Sequence, residues 1–312
     1  MRNRRLVGVA FLAVAALATC LRSAVAQEAS PTGVPVHVVV TVEPRHGSNV
    51  PIINREDVMV YQGHDRAKVT DWVPLQRERA ELQLFILIDD AASTSLGSQL
   101  EDIRQFINAQ PSTTAIGVAY MRNGIAEILE NPTNDHMLAA KALRLPLGDP
   151  GASTSPYFSL VDLIKRWPEG PVRREILMLS DGIDRFGGSG PSNPYVDSAI
   201  EGAQRAGVII YSIYTPGVDH YGHSFWRMNW GQNYLSQLSD ETGGESYYLG
   251  FGAPVSFAPY LDDLGRRLTR QYLLTFLAKP ERKAGFQSFK LRTEVPNAEL
   301  VAADRVYVPA GM

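Results

Sequence analysis

The chain has 312 residues, 45% hydrophobic and 20% charged, which is enough apolar content for a sizeable core and excludes a disordered chain. Its formal charge of -3 comes with no Lys/Arg cluster beyond the first five residues, so nucleic acid is not an expected partner. The only cysteine, Cys20, lies in the leader; cleavage beyond it removes disulfides, a thiol nucleophile and cysteine-ligated zinc from consideration.

Arg2, Arg4 and Arg5, an apolar run from Leu6 to Ala18, and Ala24-Val25-Ala26 form the three-part pattern of a secretory signal peptide spanning residues 1–26. The expected location is therefore periplasmic or extracellular. The apolar run is shorter than the ~20 residues of a spanning helix. Membrane attachment would need this segment to stay uncleaved, or Cys20 to be lipidated; Leu17-Ala18-Thr19 before it resembles a bacterial lipoprotein acylation site, with Thr19 the departure.

Residues 34–80 read as a small antiparallel β segment. Val34 to Val42 (VPVHVVVTV) alternates and is rich in β-branched residues, Arg45 to Asn49 turns, Asp57 to Tyr61 is a short strand, and Gly63-His64-Asp65 leads into a strand within Ala67 to Leu75.

From Glu81 to Arg270 the pattern alternates strand and helix, predicting an α/β domain with a doubly wound, mainly parallel, Rossmann-like sheet. Leu84 to Ile88 is its first buried strand, and it breaks abruptly into Asp89-Asp90-Ala91-Ala92-Ser93-Thr94-Ser95. Ligands sit outside the carboxyl ends of such strands, so carboxylates and hydroxyls there mark a site. Leu100, Ile103, Phe106 and Ile107 have helical spacing, Ala115 to Tyr120 is a strand, and Ala126 to Leu129 reads as a short antiparallel one. Helices follow at Asp135 to Leu143 and Tyr157 to Trp167. Ile176 to Leu179 repeats the plan of the first strand, ending in Ser180-Asp181-Gly182. Pro194 to Ala206 is a helix and Val208 to Ile213 a strand. Gly217 to Gly231 reads as a long loop carrying His220, Tyr221, His223, Trp226 and Trp230, suited to protein or carbohydrate contact or to packing on its own domain. Tyr234 to Thr242 is a helix stopped by Gly243-Gly244, Ser246 to Leu249 an edge strand, and Val255 to Thr269 the closing helix.

Residues 271–312 return to β character as three strands, Gln271 to Leu277, Phe286 to Val295 and Leu300 to Val308. With no helices between them, they are expected to pack with the 34–80 segment as one β-sandwich-like module built from both ends of the chain.

Three loops, Asp89 to Ser95, Gly151 to Ser155 and Ser180 to Asp184, are expected at one edge of the sheet. Together they resemble the metal-ion-dependent adhesion site (MIDAS) of von Willebrand factor type A (VWFA) domains. The resemblance implies metal ligation by Asp89, Ser93, Thr154 and Asp181. It departs at Ala91, which stands where the family has its first serine; Asp90 is a possible substitute. The cofactor implied is Mg2+, or Mn2+ or Ca2+, leaving a coordination position for an acidic side chain of a protein partner. The order of β leader, α/β domain and tail (RQYLLTFLAKPERKAGFQSFKLRTEV), with INREDVMVYQG and LSDETGGESYYL, resembles the exported VWFA-related proteins of acidobacteria. Binding or adhesion, rather than catalysis, is the function this implies.

Other readings stay open. Asp89 and Asp90 are suited to capping, and the Gly151 to Ser155 loop to capping the helix near Tyr157. The binding edge would also serve without metal as a scaffold. A secreted hydrolase using Ser93 or Ser180 with His220 or His223 lacks a G-x-S-x-G elbow. Asp219, His220 and His223 are weak zinc or copper candidates. No phosphate loop or G-x-G-x-x-G follows the first α/β strand, so no nucleotide is expected.

Overall fold

Three strands open the described chain: Val34–Pro44 (β1), Met59–Gln62 (β2) and Asp65–Pro74 (β3). The computed structural model describes residues 33–148, 155–187, 190–218, 224–247, 250 and 252–311, so the expected signal peptide lies outside the described residues.

The next elements are Leu82–Asp89 (β4), Leu100–Ala109 (α1), Thr114–Arg122 (β5), Ile125–Thr133 (β6), His136–Lys141 (α2) and Pro156–Arg166 (α3). Arg173–Ser180 (β7), Pro194–Ala206 (α4), Val208–Tyr214 (β8), Phe225–Thr242 (α5), Ser246–Tyr247 (β9) and Ala258–Leu268 (α6) complete this layer. The sheet order is β6-β5-β4-β7-β8-β9, parallel except for the antiparallel edge strand β6. Successive strands leave β4 on opposite sides, which puts the topological switch between β4 and β7. β4 and β7 are buried along nearly their whole length, as strands covered on both faces must be.

The helices divide between the faces. Ile103, Phe106 and Ile107 of α1 and Leu261, Leu264 and Leu268 of α6 pack with Leu84, Ile86, Leu177 and Ile213. Helices α3, α4 and α5 cover the other face, through residues such as Leu160, Leu163, Ile200 and Leu235 against Phe85, Leu87 and Met178. Capping matches the sequence signals: Asn193 caps α4, which ends at Gly207 with φ +65, and Gly243 closes α5 with φ +84.

The chain's last strands are Gln271–Ala278 (β10), Gly285–Ser288 (β11), Lys290–Arg292 (β12), Ala298–Val301 (β13) and Arg305–Val308 (β14). The expected pairing of the two ends is present: β10 lies between β1 and β3, with Val34 opposite Ala278 and Thr41 opposite Gln271. The sandwich is present only in part. One six-stranded sheet, β12-β2-β3-β10-β1-β13, curls until its end strands touch, and the second layer is just the two-stranded β11-β14 ribbon. Val306 and Val308 of that ribbon share a core with Val36, Val38, Val40 and Phe276.

The two tail stretches expected as single strands each divide between these sheets. Phe289 is buried where the first divides and stacks on Phe276 at 5.5 Å. The second breaks at Ala302 to Asp304, where the end of α5 presses in: a Cβ on Gly243 would lie 2.7 Å from the Ala302 carbonyl carbon, and Asp304 N–H donates to Glu241 O at 3.2 Å.

A second correction concerns α5. It begins at Phe225, nine residues before the expected start, so Trp226 and Trp230 are helical rather than part of a loop. Ser224 caps it, accepting from Arg227 N–H, and Trp230 stacks on Tyr234 one turn later. Among the described residues no helix is long and apolar enough to cross a membrane.

Candidate functional site

The last paired position between β4 and β7 is Ile88 with Leu179, so Asp89 faces Ser180 across the switch point, and Asp181 comes one residue later. Asp89 is buried, and both its oxygens are engaged. Oδ1 accepts from Ala91 N–H and Oδ2 accepts from the Ser180 hydroxyl, each at 2.9 Å. Burial pushes the Asp89 carboxyl up to about 6, because desolvation of the charge outweighs those two hydrogen bonds. Ser180 Oγ in turn accepts from Gly182 N–H at 3.1 Å, and Asp181 Oδ1 from Ile183 N–H at 2.8 Å. The third loop is thus wound tightly around its own side chains.

Gly182 makes that winding possible, with φ +69 in the left-handed region. It packs directly on Gly231 of α5, and its carbonyl accepts from the buried Tyr157 hydroxyl of α3 at 2.9 Å. Asp184 is fixed in the same loop, its oxygens accepting from Phe186 N–H and Asn193 Nδ2.

Asp90 is placed elsewhere. It is fully buried, and Arg144 grips it with both guanidinium nitrogens, at 2.6 and 2.8 Å, while the Leu147 N–H adds a third bond. The Arg144 guanidinium lies 3.8 Å from the Tyr120 ring centroid. This carboxylate is committed to tying the segment after α2 to the first loop.

Ser93 is half-buried at the head of a 3-10 turn, Thr94–Ser98. Its Oγ accepts from Ser95 N–H at 3.3 Å and from Ser95 Oγ at 2.9 Å. The first loop is held to the segment after β8: Ser93 N–H donates to Pro216 O, Val218 N–H to Ala91 O, and Ala92 bridges Gly217. Thr154, and Asp219, His220, Tyr221 and His223 of the expected loop, lie outside the described residues. Two further hydroxyls stand at this edge. Ser155 and Thr215 are each 2% exposed, and neither oxygen has a hydrogen-bond partner among the described residues. Ser155 ends the loop expected to cap the helix near Tyr157, and it stands at the N-cap of α3 without a side-chain cap bond; for Thr215 the only sequence signal is position, just after β8.

Around these polar groups the rim is apolar. Leu145, Leu147, Phe186, Phe225 and Trp226 are each at least half exposed. Clefts of about 750 Å3, along Arg55, Arg66 and Lys68, and about 520 Å3, along Leu75, Pro171 and Arg173, lie away from this edge. Among the described residues no three His, Cys, Asp or Glu side chains form a group that could hold a metal ion, so any cation here would rely on hydroxyls and water.

No protein-family model matches the chain, and no curated protein does. Solved structures similar to it include an aerotolerance-related membrane protein from Bacteroides fragilis: 13% identity, TM-score 0.45, covering 60% of this chain and 98% of that one. The conserved hypothetical protein BatB from Bacteroides thetaiotaomicron matches at 12% identity and TM-score 0.42, over 60% of this chain and 97% of its own. The vWF domain of the type V pili tip protein Mfa5 from Porphyromonas gingivalis matches at 12% and 0.43, over 63% and 95%.

Proposed function

We propose that this edge binds a protein partner through a divalent cation of the Mg2+ type, held by Asp89, Ser93, Thr154 and Asp181 as in a von Willebrand type A domain of an exported protein. The observation that carries the reading is the placement of Asp89 and Asp181, two buried acids at adjacent strand ends on the switch point, linked through Ser180. The described donors suit a hard cation. All are oxygens, only one or two carboxylates are required, and water fills the remaining positions. Among the described residues each Asp89 oxygen accepts one hydrogen bond, which leaves it a second lone pair. A bound cation would also offset the cost of a buried Asp89 charge. It would supply an electrophilic position for an incoming carboxylate. The chain's own residues shape the approach, with Phe186, Phe225 and Trp226 offering apolar contact beside it.

A second reading has support of its own, because Ala91 carries no ligand atom and Asp90 is committed to Arg144. In that case the same rim binds without metal. Displayed peptides selected on the immobilised protein in Mg2+ separate the two. The cation-bridged reading predicts sequences sharing an Asp or Glu, released by EDTA and not retained by Asp181→Ala. Peptides that hold equally well in EDTA and on Asp181→Ala would overturn it in favour of the metal-free rim.

A further inference from the structure

The hydroxyl that Ala91 lacks has a counterpart across the sheet. The register of β7 with β8 ends at Ser180 opposite Tyr214, and Thr215 N–H continues the ladder by donating to Ser180 O at 3.0 Å. The next position sets Thr215 beside Asp181. From Thr215 the chain runs directly into Pro216, Gly217 and Val218, the residues that pair with Ala91, Ala92 and Ser93. Thr215 therefore stands between the third-loop acid and the loop in which the serine is missing.

Its chemistry is also unexplained by the fold. Thr215 is 2% exposed, yet among the described residues its hydroxyl oxygen meets no donor or acceptor. A buried hydroxyl without a partner destabilises the fold, and valine has the same shape without that penalty. A structural role alone would favour valine here.

We propose that Thr215 is a cation-ligating residue of this edge, its hydroxyl oxygen replacing the one absent at Ala91. The assignment rests on the cation-bridged reading and adds a ligand to it. β8 thus supplies an oxygen from the far side of β7, and the ion would be held between Asp181 and Thr215 as well as by the first loop.

Calorimetric titration with Mn2+ of the wild type, Thr215→Val, Thr215→Ser and Asp181→Ala tests this, with melting temperatures taken in EDTA. The expected result is saturable binding by the wild type, loss in Asp181→Ala, and affinity weakened about tenfold or more in Thr215→Val. Thr215→Ser, which keeps the oxygen, should bind like the wild type. In EDTA, Thr215→Val should melt no lower than the wild type, which also shows that it folds. Equal Mn2+ affinity in wild type and Thr215→Val, with Asp181→Ala inactive, overturns the Thr215 assignment and leaves the site standing. No binding by the wild type overturns both.

Discussion

Two adjacent acids, Asp89 and Asp90, have opposite fates because a strand sends neighbouring side chains to opposite faces. Asp89 turns toward Ser180, and Asp90 toward Tyr120 and Arg144. The placement of Asp89 and Asp181 at adjacent strand ends was legible because each comes at the end of a continuous apolar run or just past it. The role of Asp90 was not, since its partner lies 54 residues away in a segment with no distinguishing pattern. The Arg144–Asp90 pair makes a definite prediction. Arg144→Met leaves a fully buried carboxylate without its cation and is expected to cost about 3–5 kcal/mol. Denaturant unfolding measures it, and a loss under about 1 kcal/mol would mean that surface-like screening governs the pair instead.

At the scale of elements, the contact of α5 with the third loop sets the position of Asp181. Gly182 and Gly231 allow it: a Cβ at Gly182 would press into the Gly231 carbonyl and lie 2.7 Å from Leu235 Cγ, at a φ of +69. Gly182→Ala should therefore lose roughly 2–4 kcal/mol by strain and overpacking, with the melting temperature falling accordingly. A variant as stable as the wild type would show that α5 moves aside freely. The glycine of Ser180-Asp181-Gly182 was visible in the sequence, but its partner in α5 was not. The first two turns of that helix include Asn229, Gly231 and exposed Phe225 and Trp226, which blur a helical apolar stripe. The tail strands misled for a related reason: alternation persists through Phe289 and Ala302 even though the pairing partner changes there.

For the whole molecule, residues 33–312 form one compact unit, and a buried polar network joins its two six-stranded sheets. Arg173 of β7 donates to Leu268 O and to Gln271 Oε1, Gln271 Nε2 donates to the Tyr211 hydroxyl at 3.2 Å, and Glu175 lies 3.7 Å from Arg173. That the chain's two ends would pair was legible from the absence of helices in either; the curl of their sheet and this junction were not, because they depend on which strands become neighbours. Burial raises the Glu175 carboxyl above its ordinary 4.5, against the pull of Arg173. A raised carboxyl favours the folded state below the ordinary value, and that contribution is lost as pH climbs through the raised one. Glu175→Gln should therefore be more stable than the wild type at pH 8, with the advantage shrinking toward pH 4. An advantage that grows on acidification would contradict this.

The most direct measurement of the central claim is calorimetric titration of the protein with Mg2+ at neutral pH, beside Asp181→Ala. A cation site at the β4–β7 switch point predicts saturable binding with one ion per chain, absent from the variant while its melting temperature in EDTA stays within a few degrees of the wild type. Absence of heat in the wild type, or equal binding by Asp181→Ala, would contradict it.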